Sequence, residues 1–138
     1  REYELKITCH RAFDRTQDPY RALDELIELG VDRLLTSGQQ PTGIQGLPLV
    51  EELVKIAGDK LDIMCGGGVK SSHIEQMLAA GITHIHTGST ETIQSKMQTK
   101  QPGLYMGDPA RNDDIHIVVN EKDVARIVEA VKRKAGQA

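Results

Sequence analysis

A chain of 138 residues with 38% hydrophobic and 27% charged residues has the size of one domain with its own core, and is too apolar to be disordered. Its formal charge of −3 is mixed along the chain, no basic stripe forms, and aromatics are limited to one Phe and three Tyr, which argues against nucleic acid as a partner. No apolar run nears the ~20 residues of a membrane span, no signal-peptide pattern is present, and Cys9 and Cys65 stand far apart without a CxxC spacing, so a cytoplasmic protein free of disulfides is expected.

A first strand is expected over about 5–10, ending in Cys9-His10-Arg11-Ala12-Phe13-Asp14. Asp18 and Pro19 then supply a helix cap and a first-turn proline, Ala22, Leu23, Leu26, Ile27 and Leu29 follow at helical spacing, and Gly30 stops the helix. A second strand over about 31–36 runs into the loop Ser37–Gly46, and the next helix sets Leu49, Val50, Leu53, Val54 and Ile56 on one face before Gly58. A third strand over about 61–65 meets Gly66-Gly67-Gly68-Val69. Ser71 or Ser72 caps a helix holding Ile74, Met77 and Leu78 that stops at Gly81, and a fourth strand spans about 82–87. Residues 92–114 are polar and read as a long mobile loop. A short strand, Ile115–Val119, and an amphipathic helix, Glu121–Lys134, with Val124, Ile127, Val128 and Val131 as its apolar positions, close the chain.

Strand, loop, helix and glycine recurring in this way are the signature of βαβ units, and right-handed crossovers then make neighbouring strands parallel. Scarce aromatics agree with an aliphatic core between a parallel sheet and its helices. Four such units are half of an eightfold barrel, so the fold class expected is α/β, of the (β/α)₈ TIM-barrel type. The sequence opens without Met and reaches its first strand within a few residues, and it reads as a fragment. A half-barrel leaves two bare strand edges, which a missing half or another copy, in a homo-oligomer, would cover.

All four strands end in polar or glycine-rich segments on one side of the sheet, where α/β proteins place their ligands. His10, Arg11 and Asp14 are the catalytic candidates there, because three ionisable types crowd one strand end. Gly66, Gly67 and Gly68, with Gly88 and Ser89 in the next loop, have the backbone freedom to cradle an anion, and Thr36, Ser37 and Gly38 could add donors. Each set also has a plainer use, as tight turns and packing. Side chains alternate along a strand, so Cys9 and His10 point to opposite faces, whereas His84 and His86 share one. His86, nearer the strand end, and Cys65, beside the glycines, are the metal candidates; Cys65 equally suits a small buried hydrophobe.

The blocks His10-Arg11-Ala12-Phe13-Asp14, Leu35-Thr36-Ser37-Gly38 and Ile63-Met64-x-Gly66-Gly67-Gly68-Val69, together with His86, resemble the CutC family, described as copper homeostasis proteins. The resemblance runs from about Leu5 to the last helix and implies a cytosolic (β/α)₈ barrel of which this chain, residues 1–138, is similar to the C-terminal part. An arginine-rich strand end that the family carries earlier is absent. Cys9 stands where the family usually has Phe, and Cys65 where a Pro or small residue is usual, so a copper site built on them would be peculiar to this chain.

Two functional readings follow. The resemblance implies copper as cofactor or cargo, bound through His10, His86 or a cysteine. The residues shared with the family (His, Arg, Asp, Thr, Ser, Gly) are harder donors than Cu(I) prefers and suit an anionic organic substrate. In that reading the chain is an enzyme acting on a small phosphorylated or anionic metabolite, with Arg11 as clamp and His10 with Asp14 in proton transfer.

Overall fold

Asp18 opens the first helix: its Oδ1 accepts from the backbone N–H of Tyr20 at 3.0 Å and of Arg21 at 3.1 Å, while Pro19 fills a position that needs no donor. The computed structural model describes residues 5–97 and 114–135. In chain order these form β1 (Thr8–Cys9), a 3₁₀ turn at Arg11–Arg15, α1 (Pro19–Glu28), β2 (Arg33–Thr36), α2 (Leu47–Ala57) and β3 (Asp62–Cys65). A second 3₁₀ turn at Ser71–His73, α3 (Ile74–Ala79), β4 (His84–Ile85), β5 (Thr90–Gln94), β6 (Ile115–Val119) and α4 (Glu121–Ala135) follow. Among the described residues no helix is long and apolar enough to cross a membrane.

β1 to β4 make one sheet in sequence order, and each neighbour is parallel to the next. The strands fall where the sequence places them but are shorter, most of all at the edges. About 5–10 becomes Thr8–Cys9 and about 82–87 becomes His84–Ile85, because an edge strand has a ladder on one side only. The backbone before β1 is held by a side chain as well: Ile7 N–H donates to Asp32 Oδ2 at 2.7 Å, while Ile7 O accepts from the N–H groups of Asp32 and Arg33 at 3.1 Å.

Register assigns the faces. Leu34 pairs with Ile63 and Thr36 with Cys65, and this face packs under the helices with Leu23, Val50, Leu53, Ile74 and Met77. Leu35, Met64 and His84 share the opposite face and are half-buried, while Thr8 and Asp62 are exposed there. Arg33 Nη2 reaches Asp62 Oδ2 at 3.3 Å and His84 Nε2 stands 3.8 Å from the same oxygen, while Arg33 Nε is buried with no partner among the described residues.

Two expectations are corrected. The segment read as a loop over about 92–114 starts in a strand, since β5 pairs antiparallel with β6, Thr92 opposite Ile117 and Gln94 opposite Ile115. Every residue of β5 is exposed, so no burial pattern marked it in the sequence. Residues 98–113 of that expected loop lie outside the described residues. The helix expected from Ser71 or Ser72 starts as a 3₁₀ turn and becomes α-helical only at Ile74. α4 buries Ile127 and Ala130, leaving Val124, Val128 and Val131 exposed.

Candidate functional site

Asp14 gathers the strand-end residues around itself. It stands in the 3₁₀ turn after β1, and its side chain, 8% exposed, accepts from Arg11 Nε at 2.7 Å. Thr36 Oγ1 donates to it at 2.5 Å, Ser37 N–H at 3.1 Å and Gln39 N–H at 3.2 Å, while Ser37 Oγ, 2.9 Å away, shares its one proton between Asp14 and Gln40 O at 2.5 Å. Burial pushes the carboxyl up, but the hydrogen bonds from Thr36, Arg11, Gln39 and Ser37 outweigh it and hold Asp14 below the ordinary aspartate range. Thr36 and Ser37, expected as donors to a ligand anion, therefore serve an anion of their own chain. With about four lone-pair positions on a carboxylate, Asp14 has little left to offer a proton.

Arg11 is consequently fixed in direction. Its Nη2 donates to Ser37 Oγ at 2.6 Å and to Gln40 O at 3.4 Å, and its side chain remains 42% exposed. Gly67, with φ +95, lies against it: a Cβ there would stand 3.2 Å from Arg11 Nη1 and 3.2 Å from Ser37 Cβ. Gly67 therefore brings the Gly66–Gly68 loop against the guanidinium in a conformation that side chains disfavour. Gly66 N–H donates to Thr36 O at 2.9 Å, continuing the ladder, and among the described residues nothing accepts from the N–H groups of Gly67 and Gly68.

His10 caps the 3₁₀ turn, its Nδ1 accepting from Ala12 N–H at 2.9 Å, which leaves the ring proton on Nε2. His10 is exposed, and no hydrogen bond joins it to Asp14 among the described residues. The structure brings together Arg11, Asp14, Thr36, Ser37 and Gly67, and keeps His10 at the rim. Gly38 closes the back of the loop: a Cβ on it would stand 2.2 Å from Gly46 O.

The loop after β4 is already engaged. Ser89 Oγ donates to Asp123 Oδ2 at 2.5 Å, and Ser71 Oγ to Asp123 Oδ1 at 2.5 Å, so a carboxylate of α4 occupies the place expected for an anion beside Gly88 and Ser89. Hydrogen bonds from Ser71 and Ser89 hold Asp123 below the ordinary range. Gln39, Gln40 and Asp123 were missed by sequence reasoning. Asn120, whose Oδ1 accepts from Asp123 N–H at 2.9 Å, is a helix-cap signal that could have drawn attention to Asp123.

The metal candidates stay apart. Cys65 is fully buried on the helix-covered face, and burial foremost pushes its thiol up to about 11. Its strand partner is Ile85, so His86, one residue further, turns to the opposite face and is exposed. Cys9 also packs toward the core. Among the described residues no three His, Cys, Asp or Glu side chains converge as a metal site would require. Copper, implied by the family resemblance, asks for accessible thiolate, thioether or imidazole donors in a cluster, and this donor set does not fit it.

A parallel sheet threaded with helices, with an arginine held by a carboxylate at its carboxyl ends, defines an α/β protein of βαβ build. The chain belongs to the CutC family, whose profile matches residues 2–92. It is 41% identical over 120 residues to a CutC family protein of Parabacteroides distasonis, covering 86% of this chain and 49% of that one. Against a CutC family protein of Klebsiella pneumoniae the identity is 40% over 124 residues, covering 89% and 50%. The chain thus spans about half the length of the curated relatives it matches. It also superposes on the crystal structure of the CutC of Streptococcus agalactiae, whose given name associates that protein with copper homeostasis. The TM-score is 0.55 at 28% identity, over 60% of this chain and 42% of that one.

Proposed function

We propose that the strand-end site binds a small anionic organic metabolite, with Arg11 as its clamp. The observation that carries this reading is the fixed guanidinium: Asp14 holds Nε at 2.7 Å, Ser37 holds Nη2 at 2.6 Å, and Gly67 lies against Nη1. A guanidinium oriented this way, beside two backbone N–H groups, matches the fork geometry of a carboxylate or phosphate. His10 at the rim offers Nε2–H to the ligand as a hydrogen-bond donor, while Asp14 positions Arg11. Chemistry on the bound metabolite, and hence an enzyme, is the extension of this reading that the two groups allow.

Copper handling is the reading that the name of the Streptococcus agalactiae relative supplies, and one experiment separates the two. The protein is titrated with a panel of phosphorylated and carboxylated metabolites, and separately with Cu(I), by calorimetry and thermal shift. Binding of an anion that Arg11→Ala weakens at least about tenfold supports the clamp, a loss of ~1.4 kcal/mol being within the reach of one charge-assisted pair. Tight Cu(I) uptake abolished by Cys65→Ser, with no anion bound, would replace it with the copper reading.

Other features of the molecule follow the same proposal. The four parallel βα units are four of the eight in a closed barrel, a reading supported by their order and by the half-length match to the relatives. We assign the protein to the cytoplasm, with a homo-oligomeric arrangement covering the open sheet face.

A further inference from the structure

Between the loops that follow β3 and β4 lies a pocket of about 440 Å³ whose lining includes Gly68, Val69, Lys70, Gly88, Ser89 and Asp123. Five of its eight lining residues come from the two loops, Thr90 opens β5, and Asn120 and Asp123 reach in from the start of α4, Asp123 lying 34 positions of sequence from Ser89. Both its oxygens are taken by donors of those loops. Ser71 Oγ donates to Oδ1 at 2.5 Å, with Ser71 N–H at 3.3 Å, and Ser89 Oγ donates to Oδ2 at 2.5 Å. Short hydroxyl bonds to an ionised acceptor are the contacts that a phosphate oxygen would also take. The pocket has the room for one, and Lys70 supplies a cation at its wall.

We propose that this pocket is a phosphate site, that its ligand is a phosphate monoester, and that the Asp123 carboxylate is the built-in competitor which leaves when the phosphate enters. The inference rests on the anion reading of the Arg11 site and extends it. Gly68 lines this pocket while its neighbour Gly67 lies against Arg11, so one molecule with a phosphate at Ser71 and Ser89 reaches the guanidinium with its other end. Asp123 is not locked in place by burial. It is half-exposed, so its side chain turns away into solvent while Ile127 and Ala130 keep α4 seated on the core.

The test titrates the full chain with inorganic phosphate and with phenyl phosphate. Asp123→Asn is expected to tighten both by roughly tenfold, because a like charge at contact is removed. Lys70→Ala in the Asp123→Asn background is expected to cancel the gain, and Arg11→Ala to leave the inorganic-phosphate gain intact. The last comparison separates this proposal from the Arg11 clamp: failure of one does not entail failure of the other. Circular dichroism verifies that the variants are folded. Should Asp123→Asn unfold, the wild-type chain decides, since the Asp123 side-chain ¹³C carboxyl resonance should move toward that of a free aspartate as phosphate saturates. No gain in Asp123→Asn, a gain indifferent to Lys70, or an unmoved Asp123 resonance would overturn the proposal.

Discussion

Asp14 is a buried anion surrounded by its own chain's donors, and its worth can be measured. Asp14→Asn keeps the size but removes the charge that Arg11 Nε, Thr36 and Ser37 address. A destabilisation of about 2–3 kcal/mol is expected in urea denaturation, the range for hydrogen bonds to a charged group. Because the folded carboxyl lies below its ordinary value of 3.8, its contribution is whole above that value and fades as pH falls through the lower folded one. The gap between wild type and Asp14→Asn should therefore close in acid; a constant gap down to about pH 2 would show that charge is not the source. The sequence displayed four members of this cluster, Arg11, Asp14, Thr36 and Ser37, at consecutive strand ends, but not Gln39. It could not say which anion the hydroxyls serve, since a Thr-Ser pair facing a ligand reads the same as one facing Asp14. The capping role of His10 was hidden for a related reason: a histidine at a strand end looks the same whether or not its Nδ1 accepts from Ala12 N–H.

The helices and central strands were legible because the signals that set them are local: Asp18-Pro19 starts α1, and Gly58 ends α2. The β5–β6 ribbon was not, since its pairing partner lies some twenty residues on and neither face is buried deeply enough to impose alternation. Among the described residues the loop from Ser37 to Gly46 shows the tightest glycine contacts of any connection. A Cβ on Gly46 would stand 1.9 Å from Ser37 O, so the two ends of the loop touch backbone to backbone. Gly46→Ala should cost roughly 2–4 kcal/mol in thermal or chemical denaturation, the strain of parting backbones rather than a lost contact. It should also weaken anion binding, because Ser37 carries Arg11. A variant of wild-type stability would mean that the loop yields freely.

At the scale of the whole molecule the open sheet face is the outstanding feature. Leu35, Met64 and His84 form half-buried surface beside exposed Thr8 and Asp62, and the chain matches only half the length of its relatives. The 138-residue chain is expected to associate in size-exclusion chromatography, and Met64→Lys, a charge placed in the middle of that face, to shift it toward monomer. A cooperatively melting wild-type monomer would show that the face needs no cover. The order of assembly follows from another feature, the shortness of β1. Two residues of ladder hold it to β2, and the clasp from Asp14 to Ser37 spans 23 positions, so neither can form until β2 and its loop are in place. β1 therefore docks late in folding and is the first strand to peel away when the chain is pulled from its N-terminal end. Since that clasp also aims Arg11, the proposed anion site is lost at the first step of unraveling, while the helices around β2 and β3 still stand.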